Sequence, residues 1–104
     1  QTEESLKFIF HQMFPGAREE AVEQFTGVFL DLQKKALNSE ISTKPLDLRG
    51  LLAAMKIVDT GLSPWQAVQM GVINKTFDVF EKEIVEDVVR TRIPREWTKE
   101  DVYE

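Results

Sequence analysis

Cysteine is absent from the chain, which excludes disulfides, thiolate chemistry and Cys-based zinc or iron–sulfur sites. Histidine occurs once, as His11, so a His-based metal site or a Ser–His–acid triad has one candidate member and no company. The five glycines, at positions 16, 27, 50, 61 and 71, are too scattered to form a phosphate-cradling loop. No apolar run approaches the ~20 residues needed to cross a bilayer. Positive charge is the minority sign, with 13 Lys and Arg against 18 Asp and Glu, a net −5 at neutral pH. Such a chain lacks the usual electrostatic footprint for nucleic acid or anionic membranes. The opening Gln1-Thr2-Glu3-Glu4 is neither basic nor apolar, unlike a secretory signal, and a cytoplasmic location is expected. A start on Gln rather than Met favours an excised piece of something longer.

What is present is a helical pattern. The 104 residues are 42% hydrophobic, enough for one compact domain with a modest core and too few for two. Leu6, Ile9, Phe10, Met13 and Phe14 recur at steps of three and four after a polar start, and Pro15-Gly16 then breaks the helix. Ala21, Val22, Phe25, Val28, Phe29, Leu32 and Ala36 form the strongest stripe, with Glu19 and Glu20 near its start and Lys34 and Lys35 near its end, as the helix dipole prefers. Gly27, inside that stripe, points to a close helix–helix crossing. A polar connection from Asn38 to Pro45 contains one apolar residue, Ile41. A third stripe of Leu48, Leu51, Leu52, Met55 and Val58 ends at Gly61, which suits a left-handed C-cap. Ser63-Pro64-Trp65-Gln66 reads as N-cap, first helical position and capping box, with Trp65, Val68 and Val72 facing inward and Asn74-Lys75 closing the helix. The fifth carries Phe77, Phe80, Ile84, Val85, Val88 and Val89 inward and stops at Pro94.

The pattern predicts an all-α, compact bundle of about five helices, at approximately 3–14, 17–37, 47–60, 63–74 and 77–93, in one domain over 1–94. The tail, 95–104, ends the packed region, with Trp97 and Tyr103 either docked onto the bundle or held out for a partner.

Little in this pattern supports catalysis. His11 sits on a core-bearing helix and reads as a partly buried structural histidine. Glu19-Glu20-Glu23 and Glu81-Glu83-Glu86-Asp87 read as solvated helix faces rather than paired catalytic carboxylates. No catalytic residue and no metal ligand is assigned within this chain. Arg49 stands apart. If Asp47 caps the third helix, Arg49 is in the first turn, where a cation opposes the dipole at a cost of about 0.3–1 kcal/mol. At roughly 100° per residue it falls about 120° from the centre of the leucine stripe, beside backbone N–H groups that favour anions. It is either an anion-reading arginine or an ordinary exposed one paired with Asp47.

The run Leu48-Arg49-Gly50-Leu51-Leu52-Ala53-Ala54-Met55-Lys56-Ile57-Val58, then Gly61-Leu62-Ser63-Pro64-Trp65-Gln66-Ala67, then Gly71-Val72-Ile73-Asn74-Lys75, resembles the C-terminal helical lid of a MoxR-type AAA+ ATPase, in the NorQ/CbbQ-like branch. The resemblance covers most of the chain. It implies that ATP, with Mg²⁺, lies between a P-loop ATPase domain and this lid, and that Arg49 is the sensor 2 arginine that reads the γ-phosphate through charge-assisted contacts. It implies that loss of those contacts on hydrolysis lets the lid swing, that the motion passes to neighbouring subunits of a hexameric ring, and that a partner protein, often one with a von Willebrand A-type domain, is remodelled. Family members commonly carry Ser, Thr or Pro before this arginine, where this chain has Leu48. Walker A, Walker B, sensor 1 and arginine-finger motifs are absent, so the chain by itself is expected neither to hydrolyse ATP nor to retain it.

Two other classes of function fit parts of the pattern. A stand-alone helical protein-interaction adaptor, using no nucleotide, needs an apolar groove or the Trp97–Tyr103 tail. A helix-turn-helix nucleic-acid binder would use the third and fourth helices, but the proposed recognition helix, Trp65 to Asn74, has no Lys or Arg.

Overall fold

A computed structural model of the chain describes residues 2–43, 48–73 and 78–104. Among them are six helices and no strand: α1 (Glu3–Met13), α2 (Glu19–Leu37), α3 (Leu48–Asp59), α4 (Pro64–Gly71), α5 (Val79–Arg92) and α6 (Lys99–Val102). The all-α bundle expected from the pattern is the fold, and the Cα radius of gyration of 12.6 Å is that of one domain. Asp47 as the cap of α3, Asn74-Lys75 as the end of the fourth helix and Phe77 as a core residue lie outside the described residues.

Local chemistry sets the helix ends. Thr2 and Ser5 form a reciprocal capping box for α1. The Ser63 hydroxyl accepts from the Gln66 N–H at 3.3 Å, with Pro64 in the first turn of α4. The Gln66 side chain meets the Ser63 hydroxyl at 3.2 Å rather than its N–H, so the expected box is only half closed. Gly61 has φ +114°, the positive range that its place after α3 requires. Asp78 caps α5 by accepting from the N–H groups of Phe80 and Glu81.

The core runs through every element: Leu6 and Phe10 of α1, Val22, Phe25 and Val28 of α2, Met55 and Val58 of α3, Val68 of α4, and Val85 and Val89 of α5 are fully buried. Each such side chain contributes about 1.5–3 kcal/mol. Ile41 is also buried, at 6% exposure, and pins the connection after α2.

Two glycines let helices approach. At Gly71, an added Cβ would stand 2.6 Å from the Gly50 carbonyl oxygen, so α3 and α4 cross backbone to backbone. Gly27 is buried in α2 as the pattern suggests, but it faces a side chain: the Arg92 guanidinium of α5 lies 2.6 Å from where its Cβ would be. That guanidinium bonds Asp31 through Nε at 2.8 Å and Nη2 at 3.3 Å. The Asp31 hydrogen bond raises the Arg92 pKa, against the desolvation that lowers it.

Four departures from the sequence reading concern helix limits and packing. First, α2 starts at Glu19 rather than 17, because Ala17 and Arg18 are engaged by the chain terminus: the Arg18 N–H donates to the Val102 carbonyl at 2.7 Å, and Ala17 forms an isolated antiparallel bridge with Tyr103. Second, residues 95–104 do not end the packed region. Val102 is fully buried, the Tyr103 hydroxyl donates to the Met55 carbonyl at 2.6 Å, and Arg95 lies over the Trp65 ring at 4.5 Å. Third, Phe80 is 79% exposed rather than inward; it lies about a turn before Ile84, past the stretch of α5 that faces α2 across the groove among the described residues. Fourth, Met13, on the stripe of Leu6 and Phe10 but at the last position of α1, is exposed at 44%.

Candidate functional site

The face of α3 turned away from the core is where the arginine lies. Gly50, Leu51, Ala54, Met55 and Val58 are buried, so the residues between them must face out. Arg49, Ala53 and Lys56 do, at steps of four and three along one exposed line. With Met13 of α1 and the half-buried Leu52 they line a shallow hollow of about 230 Å³. Among the described residues that line it, Met13, Leu52 and Ala53 are apolar and the two ionisable groups are cations.

Arg49 is exposed in the first turn of α3, and that turn contains no acidic residue. A guanidinium in the first turn of a helix carries a positive charge in a planar shape that matches carboxylate and phosphate groups. Lys56, two turns further on, adds a second positive charge, about 10 Å along the axis. The arrangement is suited to binding an anionic group and holds no nucleophile or general base to transform it.

The rest of α3 is fixed. Gly50 meets Gly71 of α4, the Met55 carbonyl holds the Tyr103 hydroxyl, and Asp59 pairs with Lys99 at 3.7 Å. Burial, and secondarily the charge of Asp59, pushes the Tyr103 phenol up to about 12, so it remains a donor at any physiological pH.

No family model, curated protein or solved structure matches this chain. Site assignment therefore rests on the residues themselves. His11 is not a partly buried residue: its side chain is 42% exposed and Nε2 lies 3.1 Å from Glu19 across the α1–α2 turn. The acidic clusters lie on solvated faces, where Glu23 pairs with Lys7, Glu86 and Asp87 pair with Arg90, and Glu81 accepts from the Ser42 N–H. Among the described residues, no group of three or more His, Asp or Glu comes together as a metal site, and no helix is long and apolar enough to cross a membrane.

Sequence reasoning singled out Arg49 and missed its surroundings. Lys56 was legible as the residue seven positions on, on the same helical face. Met13 was not, because it reaches the hollow from another helix.

Proposed function

We propose that this chain is the helical lid of a MoxR-type AAA+ ATPase, closing over ATP held by a separate P-loop domain and using Arg49 to read the γ-phosphate. The observation that carries this is an exposed arginine in the first turn of an otherwise well-packed α3, at the lid spacing from the Gly61-Leu62-Ser63-Pro64 break into α4. That break has the φ and cap geometry such a turn requires. A hollow whose ionisable residues, among those described, are both cationic suits a phosphate chain, and α3 is held along its packed face from Gly50 to Met55 while Arg49 is exposed on the other.

In this reading ATP, with Mg²⁺, supplies the bond that is broken, and the P-loop domain supplies the catalytic groups. Arg49 donates charge-assisted hydrogen bonds to phosphate oxygens and is strongest against the most highly charged terminal group. Leaving of that group weakens the hold on α3, and the lid reorients against its own P-loop domain and the next subunit of a hexameric ring. The remodelled partner belongs to the same proposal, with a protein bearing a von Willebrand A-type domain as the first candidate.

The test is Arg49→Ala in the intact ATPase. Loss of one charge-assisted contact made to the reacting phosphate corresponds to about 1.5–3 kcal/mol, or roughly 10–150-fold in turnover, with unchanged circular dichroism. Near-normal hydrolysis by that variant would remove the sensor role. The isolated 104 residues should bind Mg-ATP weakly, and tight Mg²⁺-dependent binding would also overturn the assignment. A second reading, a helical adaptor acting without nucleotide, draws on the exposed Leu37 and Phe80 at one end of the α2–α5 pair, and it predicts no effect of Arg49→Ala on partner binding.

A further inference from the structure

A concavity lies between α2 and α5. It is a groove of about 410 Å³ floored by Ile84 and Val88. On the α2 side stand Asp31, Lys34 and Lys35, with Glu40 just past the end of that helix; on the α5 side stands Asp87, with the exposed Glu83 one turn away on the same helix. Asp31 is matched by Arg92 at 2.8 Å, Lys35 by Glu40 at 3.4 Å and Asp87 by Arg90 at 2.9 Å. Lys34 and Glu83 have no ion pair among the described residues, so once the internal pairs are set aside the two sides are left with opposite charge. At the α5 N-terminal end the groove runs out past Phe80, one turn before Ile84 on the same stripe. Phe80 is 79% exposed, and Leu37, at the end of α2, is 81% exposed.

The two helices are antiparallel, since Asp31 bonds Arg92 at one end and Ser42 bonds Glu81 at the other. This makes the face complementary to itself. A two-fold axis running along the groove lays α2 of one copy over α5 of the other. Lys34 and Lys35 then oppose the second copy's Asp87 and Glu83, and each Phe80 comes to the end of the other copy's α2, near Leu37. The alternative in-plane axis, across the groove, would set lysines against lysines and acids against acids. Charge therefore selects one of the two arrangements.

We infer that the α2–α5 face is a self-association surface, and that its occupant is a second copy of this chain in the parallel-axis arrangement. None of the residues lining the groove belongs to α3, so the inference stands independently of the nucleotide reading. A face about 21 Å long and two helices wide buries on the order of 1,000 Å² in total, the low end for specific interfaces. The dimer is accordingly weak, with a dissociation constant of about 10–100 μM.

Sedimentation equilibrium of the chain from about 5 to about 500 μM measures this directly. The expected result is a monomer–dimer equilibrium that Phe80→Ser weakens about ten-fold or more. Phe80 is too exposed for that change to unfold the domain, and circular dichroism checks that it does not. The pair Lys34→Glu/Lys35→Glu should be monomeric, as should Glu83→Lys/Asp87→Lys. Mixed together, these two variants should form a heterodimer, because each supplies the walls the other lacks. A chain that stays monomeric across the range overturns the inference, as does a dimer indifferent to Phe80 or a charge-swapped pair that fails to associate.

Discussion

Replacing Gly71 with alanine probes the contact on which the α3–α4 arrangement depends. The new methyl would stand 2.6 Å from the Gly50 carbonyl oxygen and 3.6 Å from the Ala54 side chain. Ordinary contact begins at about 3.5 Å, so the helices must part by roughly 0.9 Å. The atom in the way is backbone, and no rotamer change relieves it. Overpacking of this kind costs about 1–3 kcal/mol. The helix-propensity gain offsets up to about 1 kcal/mol of that in a helix interior, and less at Gly71, the last residue of α4. The net expectation is a loss of about 1–2.5 kcal/mol, or roughly 5–15 °C in Tm for a domain of this size. Gly27→Ala is the control. Its methyl would also meet an atom at 2.6 Å, but that atom belongs to the Arg92 guanidinium, which can swing aside. The swing gives up an ion pair whose two side chains are 36% and 34% exposed, worth about 0–1 kcal/mol after screening, while the helix gains about 1 kcal/mol. Gly27→Ala should therefore lie within about 0.5 kcal/mol of the parent. Urea and thermal unfolding followed by circular dichroism decide the matter. If Gly71→Ala is as stable as the parent, or Gly27→Ala is the worse of the two, the backbone crossing has been misjudged.

Tyr103→Phe removes the 2.6 Å hydrogen bond to the Met55 carbonyl and should cost about 0.5–1.5 kcal/mol at neutral pH. Because the folded phenol is held near about 12 and the unfolded one ionises near ~10, the unfolded chain releases its proton first as pH rises. This stabilisation is complete below about pH 10 and is lost on the climb to about 12. Stability of the parent should fall more steeply than that of Tyr103→Phe over that window, and parallel curves would refute the burial of the hydroxyl. Thr26→Val should raise stability by about 1 kcal/mol, since the Thr26 hydroxyl is buried without a partner among the described residues and an isosteric methyl removes that cost; a loss on denaturant titration would mean that the hydroxyl is bonded in solution.

The elements most legible in sequence were those whose signals are local. Ser63-Pro64 announced the start of α4 because capping and the proline ring act within one turn. The α2 stripe from Ala21 to Leu32 showed because its period persists over three turns. The docking of residues 95–104 was one of two alternatives the sequence left open, for the opposite reason. α6 spans only Lys99–Val102, too short to display a period, and its contacts reach back to Ala17, Arg18 and Met55. Phe80 deceived because it continues the stripe of Ile84, and periodicity records which way a residue faces on its own helix but not whether a neighbour extends far enough to cover it. Arg49 was visible as a charge opposed to its helix end, whereas the hollow around it required knowing that the end of α1 comes to rest beside α3.

The contacts of α3 bear on how a signal at Arg49 would travel. The glycine crossing joins α3 to α4 at their backbones, and close-packed backbone contacts transmit displacement rather than absorbing it. The terminal segment then joins α3 to the α1–α2 turn, through the Tyr103 hydroxyl on Met55 and the Glu104 N–H on the Gly16 carbonyl at 3.0 Å. An anion drawing on Arg49 therefore acts on α3, α4 and the docked terminus together, not on one helix. Under the ATP reading this is what a lid requires, because a domain that yields internally would dissipate the difference between phosphate bound and phosphate released before it reached a neighbour. Only a body that moves as a unit converts the loss of one guanidinium contact into a change of orientation.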